Sequence, residues 1–359
     1  MTDNIQDRYL TDLVKRMVEN HASDLHIQEG KVPYFRLIGK LSPLSDEKPV
    51  DRKTLEKIIE SVLTPPAMER FEKSGAADVG VKMGEVRIRL NAFKHLEGLA
   101  LSIRLIPGTP PVFHDLNLPP VVKRFANLQR GLVIVCGPTG CGKSTTIAAI
   151  INHINSTARM HIITIEDPIE FVHLPKTGLV VQREVGMHAD SFASALRDSL
   201  REDPDVIVVG EMRDLETIEL ALRAAETGHL VFSTLHTSGA TGSLSRIVDA
   251  FEPGSRATVR VQLSLTLVGV ISQLLLTTRD GKSRVPACEV LVVNDAVRHI
   301  IREGKFQQIS NIIQSGGSEG MLSFSSHITE LSSKGLIDTA SGLDAVGEAW
   351  RIAEMIFET

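Results

Sequence analysis

Short apolar runs alternate with amphipathic stretches through the carboxy-terminal two thirds of the chain. Helical periodicity predicts helices at 143–155 and 191–200, and a third that Asp214 caps and Gly228 ends. Strands that alternate with helices in this way form a parallel sheet, so this region has an α/β fold. Branched apolar residues predict its strands, at 132–136, 162–165, 206–209 and 230–235.

The most apolar stretch of the chain, residues 263–276, lies after these elements. Small and polar residues interrupt it, and it is shorter than the roughly 20 apolar residues of a membrane-spanning helix. We therefore expect a buried helix here and no direct insertion into a membrane. Helices should also dominate from about residue 256 onward, apart from a strand at 285–293.

The first hundred residues have a mixed α+β pattern. A helix-like stretch covers residues 5–21, and in the segment 86–90 apolar and basic residues alternate, which places Arg87 and Arg89 opposite the core. Composition alone favours a solvated sheet face for these arginines. The strand-like segments are 34–38, 77–81, 85–93 and 99–105.

A proline-rich segment separates this region from the rest of the chain. Residues 106–120 contain five prolines, and such a segment resists both helix and sheet. It predicts an amino-terminal domain at 1–106, an interdomain linker at 107–120 and a larger domain at 121–359.

The composition argues against several classes of protein. Apolar residues make up 42% and charged residues 23%, as in an ordinary globular protein. The formal charge of −5 gives no support for nucleic acid as a partner. Cys136, Cys141 and Cys288 form no CxxC pair, which fits a reducing cytoplasm and predicts no zinc site. The polar amino terminus has no apolar signal core.

The segment after the first strand of the larger domain carries the strongest chemical signal. It satisfies the pattern G-x-x-x-x-G-K-[ST] and opens a predicted helix, the context in which this pattern binds phosphate. Its glycines let several backbone N–H groups turn onto one phosphate, and the helix amino terminus adds positive potential. Lys143 can reach the β and γ phosphates and Ser144 can ligate Mg²⁺, which predicts an ATP and magnesium site. The residues predicted to hold the nucleotide are Gly137, Pro138, Thr139, Gly140, Cys141, Gly142, Lys143 and Ser144.

Two acidic segments follow other predicted strands. Glu211 comes after the strand at 206–209, at the edge where parallel sheets bind ligands, and Gly210 stands where many P-loop hydrolases have Asp. We predict that Glu211 is the general base for the attacking water and contacts Mg²⁺, directly or through water. A helix-capping residue is the alternative. Glu166 follows the strand at 162–165 and suits positioning of Mg²⁺ and water, although carboxylates are also common in turns.

Two histidines bracket the strand at 230–235. Their spacing suits no shared metal site. His236 lies at the carboxyl end, where its imidazole could sense the γ-phosphate. His229 lies at the opposite end, where a structural role is the alternative.

Four segments in this order resemble the secretion ATPase superfamily, which contains type II secretion and type IV pilus motors. GPTGCGKST resembles its Walker A motif, and ITIEDPIEF its Asp box. VIVVGEMRDLET resembles its Walker B motif, and GHLVFSTLHT its His box. The likeness extends to ASDLHI, RIRLNAF and SIRLIP in the smaller domain, and therefore covers nearly the whole chain.

The resemblance implies a RecA-like P-loop ATPase core, a smaller α+β domain that is PAS-like, and a ring of six subunits. In this family nucleotide lies between the two domains, and arginines of the small domain reach the phosphates. Carried over by position, Arg89 and Arg104 become arginine-finger candidates, so the arginine face is interpreted as functional rather than solvated. A planar guanidinium suits this role because it binds phosphate oxygens with two bonds. The motifs also add Thr145 and His229 to the nucleotide-binding residues, and Glu166 and His236 to the catalytic ones.

Within the superfamily, the chain is most similar to the pilus retraction (PilT) branch. It begins almost directly with the small domain and lacks the tetracysteine zinc module usual in extension and secretion motors. Residues 296–305 resemble the branch segment AIRNLIREGK and depart from it at Val297, His299 and Ile300. The resemblance implies a homo-hexameric cytoplasmic ATPase that drives pilus retraction and is held at the inner membrane by a pilus platform protein.

Other functions share parts of this pattern. An accessory or divergent paralogue of such a motor would carry the same motifs. An ATP-binding scaffold with little turnover would not need the carboxylate of Glu211. A DNA-translocating ATPase shares the core, but the net negative charge makes it a poor fit.

Overall fold

The computed structural model of the chain describes residues 8–37, 39–84, 86–106 and 108–347. By its internal contacts the chain divides into two compact units. The first comprises Met1–Thr109 and Pro168–Val172, and the second comprises Pro110–Asp167 and His173–Thr359. Several predictions fall partly outside the described residues, namely the start of the helix at 5–21, the strand ends at 38 and 85, the linker residue 107 and the end of the larger domain at 348–359.

The described residues of the first unit form three helices and six strands. Its antiparallel sheet has the strand order β3-β2-β1-β6-β5-β4. The helices are α1 (Arg8–Glu19), α2 (Arg52–Val62) and α3 (Pro65–Ser74). The strands are β1 (Asp24–Gln28), β2 (Tyr34–Leu37), β3 (Lys40–Pro43), β4 (Ala76–Met83), β5 (Val86–His95) and β6 (Gly98–Ile106).

Side-chain alternation divides this sheet into an apolar and a polar face. Ile88 and Leu90 are fully buried in a core that also contains Leu13 of α1 and Ile58 of α2. Arg89 alternates with these apolar residues along β5 and therefore projects from the opposite face. The predicted alternation in this segment is confirmed.

The second unit is built on a seven-stranded sheet. Its elements begin with the helix α4 (Pro120–Phe125), which follows a short 3₁₀ turn at Phe113–Leu116. The strands are β7 (Gly131–Cys136), β8 (His161–Glu166), β9 (Leu179–Glu184), β10 (Val206–Val209), β11 (Leu230–Leu235), β12 (Leu267–Thr277) and β13 (Arg284–Val292). The remaining helices are α5 (Lys143–Thr157), α6 (Phe192–Ser199), α7 (Leu215–Glu226), α8 (Gly239–Asp249), α9 (Arg256–Thr266), α10 (Asp295–Glu303), α11 (Ile309–Ser315) and α12 (Phe324–Ser333).

The strand order of this sheet is β13-β12-β7-β11-β10-β8-β9. All neighbouring pairs are parallel except β12 and β13. The carboxyl ends of β7, β11, β10 and β8 therefore meet at one edge of the sheet. Apolar side chains on the two sheet faces form separate cores, one with α4 and α5 and one with α6 to α9. The predicted parallel α/β architecture is confirmed.

Local capping explains where two predicted helices begin. The side chain of Ser191 accepts a hydrogen bond from Ser194 N, and the Ser194 side chain completes a capping box before α6. The side chain of Asp214 accepts from Thr217 N before α7, as predicted, and Gly228 follows the end of that helix with φ +110°.

The predicted helix at 263–276 is wrong from residue 267 onward. The chain is helical only to Thr266, and residues from Leu267 onward form β12, which pairs with β7 on one side and β13 on the other. A short continuous apolar run fits a fully buried strand as well as a buried helix, and periodicity alone cannot separate them. The two neighbouring strands decide the matter, because each satisfies one side of the β12 backbone.

The proline-rich segment at 106–120, predicted to resist helix, contains a 3₁₀ turn and the first residue of α4. Val112 precedes a 3₁₀ turn, and Pro120 occupies the first turn of α4, where a missing N–H group costs nothing. The Asn152 side chain of α5 donates to the carbonyl oxygens of Pro110 and Pro111. The segment from Pro110 onward is therefore anchored within the second unit.

Among the described residues, no helix is long and apolar enough to cross a membrane.

Gly269 provides a test of packing between α4 and the sheet. A Cβ atom at Gly269 would lie against the Phe125 ring, well inside van der Waals distance, and that ring is buried. Gly269→Ala should lower the free energy of unfolding by about 1–3 kcal/mol, measured by urea denaturation. Gly242→Ala in α8 is the control, because its Cβ would meet nothing within 4 Å and alanine favours helix. A Gly269→Ala midpoint equal to wild type would contradict the packing described here.

Candidate nucleotide-binding site

The P-loop connects the end of β7 to the start of α5. Gly137, Gly140 and Gly142 have φ values of +143°, +79° and +92°, which only glycine adopts readily. Lys143 begins α5, and Ser144 and Thr145 follow in its first turn, with Ser144 exposed. Pro138 and Thr139 are exposed as well, whereas Cys141 is buried. Residues 137–145 thus form one turn between a strand and a helix, as predicted.

The Lys143 ammonium is held by the loop itself. It donates to the carbonyl oxygens of Gly137 at 2.8 Å and Pro138 at 3.0 Å, and only 8% of the residue is exposed. A phosphate group that binds Lys143 would replace these two neutral acceptors with charged ones, and charge-assisted hydrogen bonds are the stronger kind.

Glu211 is the second residue after β10, on the edge that carries the P-loop. Its backbone is fixed by its neighbours, because Gly210 N donates to Ile165 O and the Thr234 hydroxyl donates to Gly210 O. The structure also explains why glycine stands at 210. A Cβ there would lie 3.1 Å from Ile165 O and 3.2 Å from the Phe192 ring, so an aspartate would be crowded.

The Glu211 carboxylate has two basic neighbours. Its Oε2 lies 2.6 Å from Arg213 Nε and 3.3 Å from His236 Nε2, and 12% of the side chain is exposed. Burial and the positive charge of Lys143 lower the His236 pKa below its usual value of 6.5, although Glu211 acts in the opposite direction. The contact between His236 and Glu211 near neutral pH is therefore a hydrogen bond from a neutral imidazole.

Glu166 occupies the end of β8, and two strands, β10 and β11, lie between β8 and the P-loop strand β7. Its Oε1 accepts from the Thr164 hydroxyl at 2.6 Å and from Gln182 Nε2 at 3.0 Å. The Gln182 side chain in turn accepts from His173 N. The carboxylate is thus held in a fixed orientation at the same sheet edge as Glu211.

His229 lies at the other end of β11. It precedes the strand that His236 follows, so the two are separated by about 20 Å of extended chain. Its Nδ1 lies 2.9 Å from Ala224 O, at the end of α7. The structure does not bring His229 to the P-loop of its own chain, and this placement favours the structural alternative.

The predicted arginine fingers lie in the first unit and are both paired with carboxylates. Arg89 Nε donates to Asp78 at 2.8 Å, and Arg104 Nε donates to Asp24 at 2.7 Å. With Ser102 these four line a polar pocket of about 270 Å³ on the open face of the sheet. Burial alone would raise the Asp24 pKa, but hydrogen bonds from Arg104 and Ser23 outweigh it and lower that pKa. The role of both arginines as fingers stays a prediction.

Sequence reasoning missed the residues that hold these groups in place. Arg213 follows Glu211 by two positions, and that proximity was a usable signal. Thr164 likewise precedes Glu166 by two positions, on the same strand. The other partners become visible only in the fold, because neighbouring strands contribute them: Gln182 for Glu166, and Asp24 and Asp78 for the two arginines.

The His236 pKa tests the electrostatics of this edge. In an NMR titration its midpoint should lie below 6.5, because burial and Lys143 disfavour the imidazolium. Lys143→Ala should raise the midpoint, since it removes a positive charge. Glu211→Gln should lower it further, since it removes the negative charge that favours protonation. Equal midpoints in all three proteins would contradict the proximity of these side chains.

Comparison with known proteins identifies the family. A family model described as type II/IV secretion system protein matches residues 2–308. A twitching motility protein of Neisseria gonorrhoeae is 49% identical over 281 residues, which cover 78% of this chain and 75% of that protein. The type IV pilus retractation ATPase PilT of Pseudomonas aeruginosa is 44% identical over 329 residues, which cover 91% and 95%.

A solved structure extends the likeness to the fold. The crystal structure of the pilus retraction motor PilT with bound ADP matches with a TM-score of 0.87 at 43% identity, and covers 94% of this chain and 96% of that one. The predicted α/β fold and the predicted resemblance are thereby confirmed, whereas the PAS-like nature of the first unit stays a prediction. The chain belongs to the type II/IV secretion system protein family.

Proposed function

We propose that this protein is a Mg²⁺-dependent ATPase motor that drives type IV pilus retraction. The observation that carries the proposal is the meeting of a P-loop and Glu211 at one edge of a parallel sheet. The relatives support the pilus function, because they include a twitching motility protein that is 49% identical to this chain and a pilus retractation ATPase that is 44% identical.

The residues of the site fit ATP and magnesium. The turned backbone of the P-loop offers N–H groups to the phosphates, and Lys143 exchanges its two carbonyl partners for phosphate oxygens. The exposed Ser144 in the first turn of α5 would supply a hydroxyl ligand to Mg²⁺, and Glu211 would contact the ion directly or through water. The nucleotide supplies the phosphoryl group to be transferred.

Glu211 acts as the base in this proposal. Its carboxylate accepts a proton from the attacking water, and Arg213 and His236 hold it in place. Glu166 orients water from the neighbouring strand end. The neutral imidazole of His236 lies where it can respond to the terminal phosphate, since Lys143 already influences its protonation.

The assembly and its location follow from the proposed function. Six identical subunits form a ring on the cytoplasmic side of the inner membrane, where a pilus platform protein holds it. Arg89 and Arg104 serve as arginine fingers, and neither zinc nor nucleic acid takes part. Deleting the gene in its host tests the biological role: hyperpiliated cells that do not twitch are expected. Normal twitching would favour an accessory paralogue, and bald cells would favour an extension motor.

Two substitutions separate nucleotide binding from hydrolysis. Lys143→Ala should abolish ATP hydrolysis by the purified protein, because the substitution removes the charge that binds the phosphates. Glu211→Gln should retain nucleotide binding while turnover falls by roughly 10²–10⁴-fold, the usual contribution of a general base. Phosphate release and ADP affinity are the measurements. Hydrolysis by Lys143→Ala within a few fold of wild type would rule out the P-loop assignment, and undiminished turnover in Glu211→Gln would identify another base.

The arginines of the first unit allow a second test. Arg89→Lys and Arg104→Lys keep the charge but lose the planar fork, so each should lower turnover strongly while the melting temperature stays near wild type. A fully acting finger contributes about 10³–10⁵ in rate, and two that share the role contribute less each. Arg52→Lys is the control, because Arg52 is another ion-paired arginine of this unit, bound to Glu56 on α2. Normal turnover in both variants would favour the alternative that Arg89 and Arg104 belong to a solvated sheet face.

A further inference from the structure

We propose that Gln273 is a positioning residue that fixes the P-loop backbone for phosphate binding, an inference that rests on the proposed ATPase function. Gln273 lies on β12, and only 2% of it is exposed. Its Nε2 donates to the Cys141 carbonyl oxygen at 2.6 Å, and its Oε1 accepts from the Thr146 hydroxyl at 2.8 Å. One buried amide therefore connects the loop to the first turn of α5.

The bond to Cys141 controls the direction of a backbone donor. A peptide unit is planar and trans, so its carbonyl and its N–H group point in opposite directions. Holding the Cys141 carbonyl toward Gln273 turns the N–H of Gly142 away from Gln273. This N–H belongs to the set that a P-loop offers to phosphate. The Gln273 amide thus sets the orientation of a phosphate donor without touching the phosphate.

The close approach of β12 also accounts for two of the P-loop glycines. A Cβ at Gly142 would lie 2.8 Å from Gln273 Nε2, and a Cβ at Gly137 would overlap the Gln273 carbonyl oxygen. Gln273 is therefore in contact with both ends of the loop. The glycines provide room for this strand as well as conformational freedom.

The buried Gln273 amide makes two hydrogen bonds, one to the Cys141 carbonyl oxygen and one from the Thr146 hydroxyl. Burying an amide costs free energy unless its donor and its acceptor are both paired. Both partners here belong to the P-loop and α5, so the energy of the pairing depends on the loop conformation. A loop that departs from this conformation leaves a buried amide unpaired, and the strand thereby favours the binding-competent conformation.

The test compares nucleotide affinity in variants of the full-length protein. Gln273→Met keeps the length of the side chain but removes both hydrogen bonds. It should raise the Kd for Mg·ADP, measured by calorimetry, about tenfold. The KM for ATP should rise by a similar factor while kcat stays within about threefold, because the loop binds ground state and transition state alike.

A second pair of variants keeps the test decisive if Gln273→Met fails to fold. Thr146→Val removes only the bond to Oε1 and should raise the Kd for Mg·ADP about threefold, whereas Thr146→Ser keeps the hydroxyl and should bind as wild type. If Gln273→Met and Thr146→Val both bind Mg·ADP with wild-type affinity, the proposal is overturned. If Gln273→Met does not fold, wild-type affinity in Thr146→Val alone overturns it.

Asn155→Leu is the control for a merely structural effect. Asn155 is equally buried and makes two side-chain hydrogen bonds, with Leu174 O and Lys176 N, about 18 Å along α5 from Lys143. Its loss should lower the melting temperature and leave the Kd for Mg·ADP within twofold of wild type. A Kd raised as much by Asn155→Leu as by Gln273→Met would mean that general destabilisation explains the effect, which would overturn the positioning role.

The outcomes also separate this inference from the proposed function. ATP hydrolysis by wild type with an affinity independent of Gln273 contradicts the inference alone. Wild-type protein that binds Mg·ADP in a Gln273-dependent way but does not hydrolyse ATP contradicts the proposed ATPase and leaves the positioning role in place.

Discussion

Parallel hydrogen bonding among β7, β11, β10 and β8 is the constraint on which the site depends. Each strand ends in a different functional segment, and only the common direction of the strands brings these segments to one edge. Apolar residues are buried on both faces of these strands, so a slip of one residue would move every side chain of a strand from one core into the other and disrupt the packing of both. The precision of the site is therefore a consequence of the core.

Charges at this edge and in the first unit are already compensated by protein groups. Lys143 is bonded to loop carbonyls, Glu211 lies beside Arg213, and Arg104 is held by Asp24. Binding of a nucleotide to such groups is an exchange of partners, and its net free energy is smaller than the new contacts alone would give. Small changes in the positions of these partners can then change affinity substantially, which suits a protein that must bind and release nucleotide in each cycle.

Local sequence patterns predicted most elements of the second unit and the P-loop, but they did not predict β12 or the contacts that it makes. The P-loop, the position of Glu211 and the cap at Asp214 follow from spacing, because their chemistry is local along the chain. The strand β12 could not be predicted in this way, because a continuous apolar run fits a buried helix equally well. Gln273 lies on that strand, so its contacts with the P-loop were invisible until the strand was placed beside β7.

We propose that nucleotide binds where β7 and β11 end. Paramagnetic broadening of histidine NMR signals by Mn²⁺·ADP tests it most directly, because the effect falls steeply with distance. His236 and His229 flank the same strand, about 20 Å apart, and serve as internal references for each other. The His236 signal should be broadened strongly and the His229 signal little. Broadening of His229 with an unaffected His236 would contradict it.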